Sequence, residues 1–546
     1  MPTRQAERRI PPNHLFAITA FLALASAGHA FGAPSLALGD VNTILGQAAQ
    51  AAATYSPNSV IAVTDREGFV LGVYGVSGPP TATQTANAIA KAGTAAFLSS
   101  GGEAFTSRTA GYIIQPHFPP GISNTSPGPL VGVGFSSLPF SDINHFRNPA
   151  NPAIGIPGTS LSGNPGGVPL YEGGILVGGV GVDSGTTPDA LNFVPGPDID
   201  ENIAVMAQSG YGPPSSILAT QVLINGIRLP YTDFTGGSAG TAALIPGNFD
   251  PAFPATASPG APFQAGLLPY NTNPLTQTAI PILPVPSPLS TISGGEVRDP
   301  IIASPIATPV NGQPRLSQAE VTTILYQAAV RAAQTRGAIR NPLGSAAEVF
   351  IVVIDYYNTT GAGVPVAPDA PLPPPSTAPY AFPRPQVLGS FRTPDATIFS
   401  YDVAAQKART ALFFSNNTMA LSSRAVGFLA QSTYPPGIDG TAAGPYYLLQ
   451  NALSQNPIPP ATPNANASVN PFLPNGITIF PGGFPLYRNG VLIGAIGVSG
   501  DGVDQDDLIS AAGTVGFEAP TAIRADEYTY RGARLPYAKF PQNASL

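Results

Sequence analysis

Two stretches of this chain are copies of one another. Lys91–Ile122 reads KAGTAAFLSSGGEAFTSRTAGYIIQPHFPPGI, and Lys407–Ile438 reads KARTALFFSNNTMALSSRAVGFLAQSTYPPGI. They align without a gap, 316 positions apart. At the same offset, the hairpin-like GGVPLYEGGILVGGVGVDSG (166–185) faces GGFPLYRNGVLIGAIGVSG (482–500). Two further blocks recur in the same order at other offsets, Val41–Leu45 with Val321–Leu325 and Arg228–Tyr231 with Arg534–Tyr537. Matches in a common order point to tandem duplication of one domain, so whatever one copy folds into the other must fold into as well. The repeats are placed at 35–235 and 315–541. Residues 236–314 are rich in Pro, Gly, Ser and Thr and read as a linker or wrapping arm. A second Pro-rich insertion, 361–385, sits where the first repeat has a short turn at 66–68.

Each repeat carries the same order of local signals. Val41–Ala53 has apolar residues at helical spacing, with Asp40 as a candidate cap, and Ser317 precedes the matching helix at 318–334. Ser59–Thr64 and Phe69–Tyr74 read as strand, turn, strand, matched by Val349–Ile354 and Gln386–Phe391. Ala-rich helices follow at 85–99 and 400–415, with a shorter one at 108–114. The glycine-studded hairpin turns at Asn489-Gly490, the strongest two-residue type I′ signal, and at Gly173-Gly174 in the first copy. A closing helix fits 504–512. Hairpins separated by helices imply an antiparallel sheet covered by helices, an α+β domain.

Composition narrows the function classes. The 64 prolines and 60 glycines suit folded domains joined by irregular loops, and the 43% hydrophobic content excludes global disorder. Charged residues are only 10%, the net charge is −7, and no basic patch occurs, which argues against a nucleic-acid partner. Arg4, Arg8 and Arg9, then the apolar run 15–27, then small residues before a cleavage point after Ala30, read as an export signal over 1–30. The run is too short to span a bilayer. The expected mature protein has no transmembrane segment and is secreted, periplasmic or on the cell surface. The absence of cysteine removes disulfides, thiolate metal sites and a Cys nucleophile.

The series Ile61–Gly68, Lys407–Ala411 and Gly482–Gly500 resembles the GlcG/HbpS family of haem-binding domains. The resemblance covers the core of both repeats, about half the chain, and not the linker, the insertions or the Arg-Leu-Pro-Tyr tails. It implies a fold of two tandem GlcG/HbpS-like α/β sandwich domains, each an antiparallel sheet of about five strands covered by helices, with long Pro-rich loops. It also implies self-association and haem, or a similar small ligand, as the partner. Two positions depart between the copies: Gly93 stands opposite Arg409, and Asp183 opposite Ser499.

For the site, His145 is the candidate axial ligand to haem iron, since neutral imidazole suits iron, and Arg147 beside it could meet a propionate. The alternative is a surface-loop histidine. His117, between Pro116 and Phe118, reads as a packing residue. Lys91 and Lys407, with Arg409, are candidate cofactor-binding residues that could pair with propionates; the lysines could equally cap a helix or pair with an aspartate. Arg108 and Arg424 read as structural ion-pair formers. Met206, Met419, Tyr112, Tyr171 and Tyr487 are further ligand types by chemistry. The acids at 501, 504, 506 and 507 lack the pattern of a calcium loop and suit a helix N-terminus. No catalytic residue is assigned. The function expected is an exported, non-catalytic, haem-binding pseudo-dimer. The alternative is a surface-assembly subunit whose Pro-rich arms wrap neighbours.

Overall fold

The computed structural model describes residues 34–130, 162–185, 195–258, 283–337, 345–357, 387–449 and 478–539, apart from a few single positions inside these stretches. His145, Arg147 and the insertion 361–385 lie outside the described residues.

The first unit opens with α1 (Leu38–Tyr55), β1 (Val60–Asp65), β2 (Val70–Gly75), α2 (Ala82–Phe97) and α3 (Ser107–Ile113). The hairpin β3 (Gly167–Glu172) and β4 (Ile175–Asp183) follows, then α4 (Ile199–Ala207) and a small tail hairpin, β5 (Leu223–Ile224) with β6 (Ile227–Arg228). The arm then contributes β7 (Glu296–Asp299). The second unit repeats the order with α5 (Gln318–Gln334), β8 (Phe350–Asp355), β9 (Val387–Arg392), α6 (Phe399–Phe413), α7 (Ser423–Leu429), β10 (Gly483–Arg488), β11 (Val491–Ser499) and α8 (Val503–Gly513). Its tail hairpin is β12 (Thr529–Tyr530) and β13 (Ala533–Arg534). The cap of α1 differs from expectation. Ala37 occupies the N-cap and Asp40, one turn inside, accepts from its amide at 2.8 Å.

Both sheets are antiparallel throughout. The first runs β2-β1-β4-β3 and the second β10-β11-β8-β9-β7. Strand alternation sorts side chains to two faces. Ile61 and Val63 join α1 and α4 in one apolar cluster, while Val60 and Ala62 join Ala88, Ile89 and Ala92 of α2 in another. Each unit is therefore a sheet between helical layers, and its central strands are buried on both sides.

The glycines of the repeated hairpin explain how close the helix lies. A Cβ at Gly181 would stand 2.1 Å from the Ala88 carbonyl oxygen, and one at Gly497 2.0 Å from that of Ala404. Only glycine lets α2 and α6 settle onto those strands. At the tips, Asn489 and Gly490 have φ of 50° and 79°, and Gly173 and Gly174 58° and 85°, the paired positive values a type I′ turn requires.

The segment between the repeats divides. Residues up to 258 pack on the first unit: Phe249 bridges to Tyr74, and the Val73 amide donates to the Phe253 carbonyl at 3.0 Å. Residues from 283 onward pack on the second, where β7 adds a fifth strand beside β9. Among the described residues, no apolar core cluster mixes the two units.

Candidate functional site

The duplicated lysines sit at equivalent places on α2 and α6 and are buried. Lys91 Nζ donates to Asp200 Oδ2 at 2.9 Å and to the Val182 carbonyl at 3.0 Å. Lys407 Nζ donates to Asp506 Oδ2 at 2.7 Å and to the Val498 carbonyl at 2.9 Å. Each lysine thus ties its helix to the hairpin and to the closing helix α4 or α8. The arginines make a second tie. Arg108 grips Glu201 through Nε at 2.8 Å and Nη2 at 3.0 Å, and Arg424 bridges Asp507 and Asp504, both at 2.8 Å. Burial raises the Glu201 carboxyl above its ordinary range, against the opposing pull of Arg108. Such geometry fixes element positions and leaves the Lys91 and Lys407 ammonium groups committed to interior carboxylates.

The two networks differ in charge. In the second unit Lys407, Arg424 and Lys539 face Asp504, Asp506 and Asp507, three against three. Among the described residues of the first unit, Lys91 and Arg108 face Asp183, Asp200, Glu201 and Asp233, two against four. The extra acid on the hairpin is Asp183, 1% exposed, where the second copy has Ser499. Its Oδ1 lies 3.7 Å from Lys91 Nζ, and Asn87 Nδ2 donates to its Oδ2 at 3.4 Å. Burial raises the Asp183 carboxyl, Lys91 counteracts, and Asp200 adds to the rise.

Asp183 lines a cleft of about 720 Å³ at one end of the first sheet. The cleft lies between the outer ends of β1 and β2, the loop 76–80, the first turns of α2 and the residues just after β4. This volume falls in the range of small-molecule sites, roughly 300–1,000 Å³. Its described lining holds amides and hydroxyls, with Asp183 its carboxylate, and no Lys, Arg, His, Met or Tyr. The only sequence signal for it was the exchange of Asp183 for Ser499; a cleft built from three separate loops leaves no periodic trace.

A second shared place is the loop after α3 and α7. In the first unit it carries His117, half-buried, whose Nδ1 lies 3.1 Å from the Thr125 carbonyl oxygen. A carbonyl only accepts, so Nδ1 is the donor in this contact, and in the neutral ring the lone pair is on Nε2. In the second unit Thr433 stands at that position and Tyr434 follows, 2% exposed. The Tyr434 ring packs edge-on against Phe428 and Tyr530, and its hydroxyl has no hydrogen-bond partner among the described residues.

The remaining sequence candidates are placed as follows. Arg409 is wholly buried on α6. Tyr171 and Tyr487 are buried, with hydroxyls donating to the Ser100 and Asn416 carbonyls at 2.8 and 2.7 Å. Met206 and Met419 pack against the first and second cores. Tyr112 stacks edge-on with Phe118. Asp504, Asp506 and Asp507 spend their charges on Arg424, Lys407 and Lys539. Sequence reading missed Asp183 and Tyr434 as site residues.

In comparison with known proteins, residues 383–514 match the family described as "HbpS-like: Haem degrading protein HbpS-like". No curated protein sequence matches the chain. Among solved structures, similarity is found to a PduOC–haem complex (21% identity, 38% of this chain and 98% of that one, TM-score 0.23). It is also found to Klebsiella pneumoniae protein ORFY (18%, 37% and 88%, 0.21) and to a double mutant of Streptomyces reticuli HbpS (20%, 34% and 92%, 0.19).

Proposed function

Residues 383–514, part of the second unit, match the HbpS-like family, and from that match we propose that the chain is an exported, non-catalytic, haem-binding protein whose two fused units act as a covalent pseudo-dimer. The domain match carries the reading. The ligand chemistry available supports it. Haem iron takes imidazole, thiolate, thioether or phenol ligands. The matched segment contains no His and no Cys, so a phenol or thioether must serve there. Tyr434, with its hydroxyl lacking a hydrogen-bond partner, is the residue that would hold the iron in the second unit. His117, with its tautomer fixed and Nε2 available, would do so in the first. When bound, haem would supply a redox-active iron centre. The Asp183 cleft does not fit this group: it offers no axial ligand type, and a carboxylate would face the propionates.

Pairing of the units is supported by one charge interaction. Burial lowers the Arg392 pKa in the second unit; of its first-unit neighbours, Asp65 favours the protonated form and Arg66 opposes it, so charges of the two units act on one another. The described parts of the arm pair with the chain's own sheets.

The test is a hemin titration of the mature chain, followed at the Soret band. A saturable shift is expected, weakened by Tyr434→Phe and by His117→Ala, and unaffected by His145→Ala. An absent shift in the folded protein defeats haem binding, and a shift abolished by His145→Ala moves the ligand to that residue. Bleaching of the bound band with iron release, when hydrogen peroxide or ascorbate is added, would replace the non-catalytic reading with haem degradation.

A further inference from the structure

The charge imbalance of the first unit ends at the cleft. Asp183 is 1% exposed yet forms part of its wall. Lys91 is the cation that faces it, and that ammonium already donates to Asp200 at 2.9 Å, closer than its 3.7 Å separation from Asp183. One ammonium is thus shared between Asp183 and Asp200. A buried carboxylate left short of positive charge is costly. The second unit avoids that cost by carrying Ser499 and pairing Lys407 with Asp506 alone. The same fold therefore does not need the carboxylate; the first unit keeps it where a cleft reaches it.

The sign of the ligand follows from magnitudes. The N-terminal end of α2 also lines the cleft and favours an anion, but a helix end is worth about half an elementary charge. One of its amides, that of Gln84, is already satisfied by the Thr81 hydroxyl at 3.3 Å. Asp183, when ionised, carries a full elementary charge, and no described lining residue is cationic. Among the described residues no cluster of three or more His, Cys, Asp or Glu side chains gathers around a metal-sized space. The remaining polar wall, including Asn87, Gln84, Ser77 and Thr81, suits a solute with hydroxyl or amine groups.

We propose that this cleft binds a small organic cation, with an ammonium or guanidinium group seated at Asp183. The site is independent of the haem reading, because it lies apart from His117 and Tyr434 and lacks iron ligands.

The experiment is isothermal titration of the full mature chain with agmatine, glucosamine and ethylammonium, and with glucose as a neutral counterpart of glucosamine. At least one cation should bind with one site per chain, and glucose at least tenfold more weakly than glucosamine wherever glucosamine binds. Asp183→Ser, the second unit's own choice, should weaken cation binding at least tenfold while leaving the hemin Soret response unchanged. Thr83→Arg, at an exposed position on the rim, should weaken it as well. Failure of all three cations to bind, glucose binding as tightly as glucosamine, or unchanged binding in folded Asp183→Ser would each overturn the proposal. If Asp183→Ser does not fold, unchanged binding in Thr83→Arg overturns it and tenfold weakening upholds it.

Discussion

Lys91 and Lys407 each carry a charge into the buried interior, at 2% and 1% exposure. Removing one partner of such a pair leaves the other stranded, at a cost of about 3–5 kcal/mol, whereas replacing both with apolar groups is often neutral. Lys407→Met should therefore lower stability by about 3–5 kcal/mol, and Lys407→Met with Asp506→Leu should recover most of it. Denaturant unfolding of the single and double variants checks this; equal losses in both would mean the pair is not what Lys407 contributes. The sequence showed these lysines as a duplicated pair but not their partners. Lys91 and Lys407 are 316 positions apart, whereas Asp200 and Asp506 are 306 apart. The first copy has ten more residues between hairpin and closing helix, so ungapped alignment loses the acids. His145 stood out in the sequence because imidazole is rare here. Tyr434 did not, because an unsatisfied hydroxyl is a property of surroundings and not of residue type.

At the scale of elements the reading was close. Helix, hairpin, two helices, hairpin and helix recur in both units, because periodicity and turn chemistry are local properties. The strand β7 was not foreseen: Glu296-Val-Arg-Asp299 has no alternating apolar pattern, and it is a strand because β9 offers an unpaired edge. The tail hairpins β5–β6 and β12–β13 were missed for the same reason, each strand being two residues long. The glycine pattern has a steeper consequence. Gly497→Val places carbon atoms within the space of the Ala404 carbonyl, and backbone cannot swing aside as a side chain can. Forced overpacking of this kind costs about 1–3 kcal/mol or more, so a fall in melting temperature of the second unit is expected. Calorimetry reads it; an unchanged transition would show that α6 does not need that close approach.

At the scale of the molecule, two separate cores share one chain, and each uses a piece of the intervening segment to finish itself. Composition marked that segment as an arm, yet where an arm docks depends on which sheet edges are left unpaired, which no local pattern records. Val297 is 4% exposed and pairs with Phe391, so Val297→Pro replaces a buried apolar side chain in the strand with one that restricts its backbone, and should detach β7. The freed β9 edge is then open to another chain. Light scattering should show self-association at concentrations where the unaltered protein stays unchanged; an identical profile would mean β7 does not guard that edge.

The placement of these straps also orders events during synthesis. The strap for the second sheet precedes that sheet in the chain, so β9 meets its cover as soon as it leaves the ribosome. The strap for the first sheet comes last: the residues that bridge to β2 lie near Phe249, long after β2 ends at Gly75. At about 5–20 residues per second, the first unit waits on the order of ten to thirty seconds with that edge bare. The nascent first unit, rather than the second, is therefore the stage at which a chaperone or a neighbouring chain has time to act.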